Sequence, residues 1–437
     1  MALGIIDISD AGIQVAIENE LLKSSPGFAV MDGNRLLVGE EALNNARLLP
    51  RWTNNRFWNQ LNTDPIPNGT DEVRHHADLA FAHLESLWLP LKNEVDNVIL
   101  LVPAFYDHPQ LGLLLGMAKE CGIPVSGVAD SSLLVASEQS IEPLSLHLDV
   151  HLHRITLTIL SSGATLARND VTTVTETGIF TLWDRWANII ADQFIQTSRF
   201  DPMHQAQSEQ ALFNQLPGWI ERLNGSRGNA FELNLGEINQ TVSVSSDQLM
   251  AACTQIYPQI VQAIRSQIPP GETASLLLSH RFTGFPGLKD SLGLINNIEL
   301  IELAGNQSLS SAYALADKII PKNGAISHII SLPISRQREN RRQAAPDTSR
   351  ATHLLMGDHA TAIGKSFQLS RDNSNGLKSD LNNPICTIFP RGNSLFMDIH
   401  MANAFLVNGE VADQGNPLKP GDVITIGDQT ITLISVT

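Results

Sequence analysis

His147, Asp149, His151 and His153 alternate along one short stretch of ligand-type side chains. On one uninterrupted strand the four would share a face, and such a set of nitrogen and oxygen donors suits zinc or manganese. If the chain instead turns at 151–153, the two later histidines sit on a hairpin tip and the set disperses. Ser131 and Ser132 follow Asp130, but no histidine stands beside them in sequence, so a nucleophilic serine is not expected. His75-His76 lies in a polar stretch ahead of a helical pattern and reads as exposed. No Gly-x-Ser-x-Gly, P-loop or His-Glu-x-x-His signature occurs. Cys121, Cys253 and Cys386 are far apart, form no Cys-x-x-Cys pair, and read as buried thiols in a reducing compartment.

The elements that must position these residues follow from periodicity. Strands at Gly4–Ile8 and Gly12–Glu18 are expected to pair around Ser9-Asp10-Ala11. Phe28–Met31 and Arg35–Val38 flank Asp32-Gly33-Asn34, a short hairpin signal. Asn97–Val102 is a continuous apolar run ending at Pro103, as in a strand buried on both faces. Helices are expected over Ala77–Leu89 and Gln110–Cys121, with a strand at Pro124–Val128. Leu146–Val150 and Ile155–Leu160 form the next strand pair, with a tight turn expected between them at His151-Leu152-His153. Leu182, Trp183, Trp186, Ile189, Ile190 and Phe194 recur at helical spacing. Asn229–Gln240 and Val242–Val244 read as strands, and Ser246–Ile268 as one helix. A strand at Leu276–Leu278 and a helix at Leu288–Leu292 follow. Alternating β and α units argue for an α/β layer architecture. No internal repeat is evident in the residues.

The chain has 437 residues, with 45 acidic against 29 basic side chains and a net charge of −16. Its length suits two or three domains, and its acidity opposes a general nucleic-acid role. No stretch is long and apolar enough to span a membrane, and the N-terminus does not read as a signal peptide, so a cytoplasmic protein is expected. From Ser335 the composition shifts. Arg336, Arg338, Arg341 and Arg342 crowd a segment nearly free of apolar residues, which reads as a solvated linker. The remainder is rich in β-formers and Gly-Asp turns and reads as an all-β sandwich.

Residues 1–334 resemble the nucleotide-binding domain of DnaK-type heat-shock chaperones, of the actin-like ATPase superfamily. Ile5-Ile6-Asp7-Ile8-Ser9-Asp10 stands at that family's first phosphate loop. Val102-Pro103-Ala104-Phe105 matches its Val-Pro-Ala-Tyr strand end. Leu148-Asp149-Val150-His151-Leu152-His153 stands at the second phosphate loop, and Ser279-His280-Arg281 through Gly284 at the adenosine motif. The resemblance implies a two-lobed actin/DnaK-like fold. It places a retained ATP site at Asp7, Ser9, Asp10, Asp130, Asp149, His151, His153, Ser279, His280 and Gly284, with magnesium and its waters at Asp7, Asp130 and Asp149. Alternatively Asp7 and Asp149 merely close turns. The departures are chemical. Phosphate loops need glycine so that backbone N–H groups can approach phosphate oxygens. Here Ser9, His151, Leu152 and His153 replace glycines, and Asp10 puts a carboxylate where phosphate would lie.

Residues 353–437 resemble a forkhead-associated (FHA) domain, which reads phosphothreonine. Ala362-Ile363-Gly364-Lys365, the run Asp398–Gly409 and the run Leu418–Gly427 carry the likeness. It implies peptide contacts by Lys365 and Asn403. Lysine stands where the family has arginine, and no Ser-x-x-His equivalent occurs, so unphosphorylated or structural interaction is expected; Arg371 and Arg391 are further basic candidates. No DnaK-type peptide-binding domain is expected. Residues 335–352 form the linker. The combined reading is a protein-interaction scaffold or regulator with weak or lost ATPase activity. An ATP- and magnesium-dependent switch and a phosphopeptide-reading adaptor are the alternatives.

Overall fold

The computed structural model describes residues 2–333 except 34, 68, 225–229, 236–237 and 323. Beyond these it describes 351–356, 359–363, 366–371, 377–379, 384–391, 394–400, 405–411, 417–426 and 429–434. The chain is mixed α/β and divides into two compact units, residues 1–336 and 337–437.

In the first unit, β1 (Leu3–Asp7), β2 (Ile13–Ile17), β3 (Glu20–Ser25), β4 (Asn97–Val102) and β5 (Val125–Asp130) make a sheet of order β3-β2-β1-β4-β5. The first three strands are antiparallel neighbours, and β4 and β5 run parallel to β1. The second sheet repeats this plan. β6 (Leu144–Val150), β7 (Arg154–Ser162), β8 (Thr165–Thr175), β9 (Ala274–Leu278) and β10 (Ile298–Glu302) lie in order β8-β7-β6-β9-β10 with the same directions. The unit is a topological duplication that leaves no repeat in the residues. What each half preserves is strand order and strand direction, with central strands buried on both faces, which many apolar side chains satisfy. A last segment joins the halves: His328–Ile329 pairs with β5, and Ser331–Pro333 with β8.

Alternation within the strands feeds separate cores. Ile5, Ile99 and Leu101 meet Leu160 and Leu277 in a core shared by both sheets. Ile6, Val98, Leu100 and Val102 face the other way, toward α1 (His76–Trp88) and α2 (His108–Glu120). This is why Asn97–Val102 is apolar throughout. After α3 (Ser131–Ser137), α4 (Ile179–Ser198) lays Leu182, Trp186, Ile190 and Phe194 on Leu146, Leu148 and Leu276. A helix unexpected from the sequence, α5 (Ala206–Asn224), runs through Pro217.

Two expectations are corrected. The single helix over 246–268 is two, α6 (Ser246–Ala251) and α7 (Tyr257–Ser266). Pro258 has no N–H to continue a helix and sits in the first turn of α7, where none is needed. The strand expected over 229–240 is instead a hairpin, with Ala230–Leu235 paired to Ile238–Ser243. The chain continues through α8 (Leu288–Leu292) and α9 (Gln307–Ala314). Among the described residues, no helix is long and apolar enough to cross a membrane.

The second unit holds two antiparallel arrays. Strands from His353–Met356, Gln429–Ile434 and Val423–Ile426 belong to one, and Phe367–Arg371, Cys386–Arg391 and Ser394–Ile399 to the other. Leu354, Ile424 and Leu433 from the first meet Leu369, Ile388 and Leu395 from the second in one core. Asn408 and Gly409 both take positive φ, 57° and 88°, in the turn between Phe405–Val407 and Glu410–Val411, which suits an Asn-Gly hairpin.

Leu276 is fully buried where β9 meets α4. Leu276→Ala is expected to cost about 2–5 kcal/mol, read as a lower urea midpoint with the slope unchanged.

Candidate functional site

The chain turns at 151–153, with the His151 N–H donating to the Arg154 carbonyl at 2.8 Å. The alternating His/Asp set therefore disperses. His147 Nδ1 lies 2.8 Å from Ser132 Oγ. His151 Nδ1 lies 3.5 Å from Asp10 Oδ1 and from Ser9 Oγ, and its ring meets Phe105 edge-on. His153 Nε2 donates to the carbonyl and side-chain oxygens of Asn55, at 3.1 and 3.0 Å.

Below this turn lies a buried ionic centre. Arg281, in a short helical turn after β9, directs Nη1 to both oxygens of Asp149, at 3.2 and 2.9 Å. Its Nη2 is 3.7 Å from Asp7 Oδ2, which also accepts a 2.7 Å hydrogen bond from Ser308 on α9. Burial would raise the Asp149 carboxyl, but Arg281, then His151, hold it well below the ordinary carboxylate range. Asp7 is the weaker partner of the arginine, and burial raises its carboxyl despite Arg281 and Ser308. Burial acts against the Arg281 cation, yet Asp149 and Asp7 leave it more firmly protonated than usual. Asp10 accepts the Leu152 N–H at 3.0 Å. Burial would raise its carboxyl too, but the His151 and Leu152 hydrogen bonds keep it below the ordinary value.

Asp130 has other partners. One oxygen caps α3 by accepting the Leu133 N–H at 3.1 Å, and the other accepts from Arg168 at 2.7 Å. Burial raises its carboxyl, with Arg168 opposing. Ser279 accepts the Arg281 N–H, and burial pushes His280 down to about 4. Gly284 has φ +84°, and a Cβ there would lie 3.3 Å from Glu221 Cα. The cavity bounded by Ser279, His280, Thr283 and Glu302 measures about 10 Å³, room for one water.

These residues do not fit magnesium-ATP at the positions the family resemblance implies. The Leu152 amide is taken by Asp10. The first amides of α4 are also engaged, since Ile179 and Phe180 N–H groups donate to the His151 and Leu152 carbonyls. A Cβ at Gly178 would lie 2.4 Å from both carbonyls, so glycine is required where helix and turn meet. The Leu152 side chain packs with Phe28 and Phe180. The carboxylates expected to share magnesium instead have protein partners: Asp149 and Asp7 share Arg281, with Ser308 also on Asp7, while Asp130 pairs separately with Arg168. Among the described residues, no group of three or more His, Cys, Asp or Glu is placed to hold a metal ion.

Several participants are not evident in the sequence. Arg281 lies inside the adenosine-motif run, but its pairing reaches across 132 residues. The Ser132–His147 contact likewise joins two elements, the first turn of α3 and the middle of β6. Both residues are sealed in the core, and burial pushes His147 down to about 4. A second pair, Ser25 and His83, cannot activate the serine. Trp58 Nε1–H donates to His83 Nδ1 at 3.0 Å, which leaves the ring proton on Nε2, 2.8 Å from Ser25 Oγ. His76, expected to be exposed, is buried, with Nδ1 3.0 Å from Asn62 Oδ1. All three cysteines are buried and free. Lys365 and Asn403 lie outside the described residues, as do the side chains of Arg371 and Arg391. Compared with protein-family models and with curated proteins, the chain matches none.

Arg281→Leu leaves buried carboxylates uncompensated and is expected to cost about 3–5 kcal/mol. Adding Asp149→Asn should recover part of that loss, so a urea double-mutant cycle should be strongly non-additive; additive losses would refute the pairing. A pH dependence follows from His83 and His147, which burial holds near 3 and 4. Below about pH 6.5 the unfolded chain takes up protons that the folded chain refuses, so stability falls as pH drops from there toward 4. Asp149, held low, adds its own loss only below about pH 4. The urea midpoint should therefore be lower at pH 5 than at pH 7, and His147→Asn should shrink that difference.

Proposed function

We propose that this chain is a protein-interaction scaffold. Its body is a two-lobed DnaK/actin-like unit whose nucleotide site is closed by its own side chains, and an FHA-like sandwich provides a partner-binding surface. The observation that carries this reading is the hydrogen bond from the Leu152 N–H to Asp10. On the family resemblance these residues stand in the two phosphate loops, so the carboxylate takes a place meant for a phosphate oxygen. A bound triphosphate would have to displace it or meet its charge. At 4 Å and an effective dielectric constant near 20, each such charge pair costs about 4 kcal/mol.

Other features support the same reading. The repeated sheet order fits a body of two matched lobes. Arg281 supplies positive charge beside Asp149 and Asp7, which removes the need for a cation there. With a carboxylate and a guanidinium of the chain at the anion and cation positions, the reading needs no hydrolytic cycle. Buried free thiols suit a reducing, cytoplasmic setting, and the net charge of −16 favours protein over nucleic-acid partners.

Calorimetric titration of ATP with magnesium into the full chain tests this reading. No binding heat at several temperatures and an unchanged melting temperature are expected. An affinity tighter than about 100 μM that disappears in Asp149→Ala would overturn it in favour of a nucleotide-driven switch.

A further inference from the structure

An unexplained feature near the closed centre is a cavity of about 340 Å³ lined by Trp52, Arg51, Asn54, Arg56, Gln60 and His76, over an apolar floor that includes Met31, Ile66 and Leu79. Its volume is at the lower end for small-molecule sites, enough for a bicyclic ring system. Its chemistry is unusual for so acidic a chain: two arginines line it, and no carboxylate does among the described residues. The neighbouring cavity, by contrast, is lined by Asp71 and Glu72. Trp52 is 47% exposed, so a large flat apolar face stands open at the rim.

The cavity is also wired to the closed centre. Arg56 forms a forked pair with Glu176, at 3.2 and 2.9 Å, and Glu176 lies just past β8 in the other half of the body. The adjacent Asn55 holds His153 of the central turn. One side of the cavity is therefore formed by residues that link the two halves.

We propose that this cavity binds a small aryl carboxylate. The ring would stack on the Trp52 indole and cover the apolar floor, and the carboxylate would take the Arg56 fork in competition with Glu176. Planar stacking and a guanidinium fork are the pairing that selects a flat anion over a neutral ring. Because the anion and Glu176 share one guanidinium, binding would loosen the link between the halves.

The test uses 2-naphthoate and its neutral isostere 2-naphthamide, titrated into the full chain and followed by tryptophan fluorescence and ligand-observed NMR. Naphthoate should bind, and naphthamide should bind at least about tenfold more weakly. Trp52→Ala and Arg56→Leu, both at partly exposed positions, should weaken naphthoate by about tenfold or more. Glu176→Gln should tighten it by releasing Arg56, an effect that a merely structural role for the pair would not produce. Equal affinity for the two probes, no naphthoate binding up to about 10 mM, or affinities unchanged in Arg56→Leu and Glu176→Gln would each overturn the proposal. None of these outcomes depends on whether ATP binds the centre.

Discussion

One guanidinium holds the middle of this protein together. Asp7 ends β1 and Asp149 lies one residue from the end of β6, so the two carboxylates occupy matching places in the duplicated sheets. Each is buried, and an unpaired carboxylate in such surroundings would be strongly destabilising. Arg281 answers both charges from a single turn at the end of β9. The placement of β9, the short turn after it and the approach of α9 with Ser308 all serve that pairing. A fold that brings two equivalent carboxylates toward one point needs a cation there, and this chain supplies its own.

The same logic runs through the central turn. Backbone N–H groups at 152, 179 and 180 are all engaged by protein oxygens, the first by the Asp10 carboxylate and the other two by the carbonyls of His151 and Leu152. Asp10 supplies the carboxylate there, its Oδ1 accepting the Leu152 N–H and lying 3.5 Å from His151, while its buried Oδ2 has no hydrogen-bond partner among the described residues. Leu152 turns its side chain into a small core with Phe28 and Phe180, so the turn is anchored from both sides. Contacts continue outward through His153 and Asn55 to Arg56 and Glu176, where the halves meet again near the surface. The centre is therefore braced by polar contacts at its middle and its rim, with the shared apolar core between the sheets beneath.

Much of the local structure was legible in the residues. The Asn97–Val102 run announced a strand buried on both faces, and the spacing of Leu182, Trp186, Ile190 and Phe194 announced the face of α4. The tight turn expected at 151–153 is where the chain reverses, but the partners its side chains take were not legible. Local errors arose where one residue overrode a longer pattern: Pro258 begins a new helix inside an apolar period that reads as continuous. The duplication was invisible because strand order is a property of pairing, and pairing preserves burial rather than identity.

The sequence by itself determined most of the elements, the apolar runs that bury them on two faces, and the placing of carboxylate and imidazole groups where the family resemblance would have glycines. These depend on neighbours a few residues apart, so the information is local. Only the tertiary structure decided what those groups do. Arg281 answers Asp149 and Asp7, Asp10 takes the Leu152 amide, His147 turns to Ser132 rather than to a metal, and Asp130 caps a helix beside Arg168. Apart from the Asp130 cap, each pairing joins segments remote in the chain. Its energy depends on distance and burial, which exist only after the two sheets have packed.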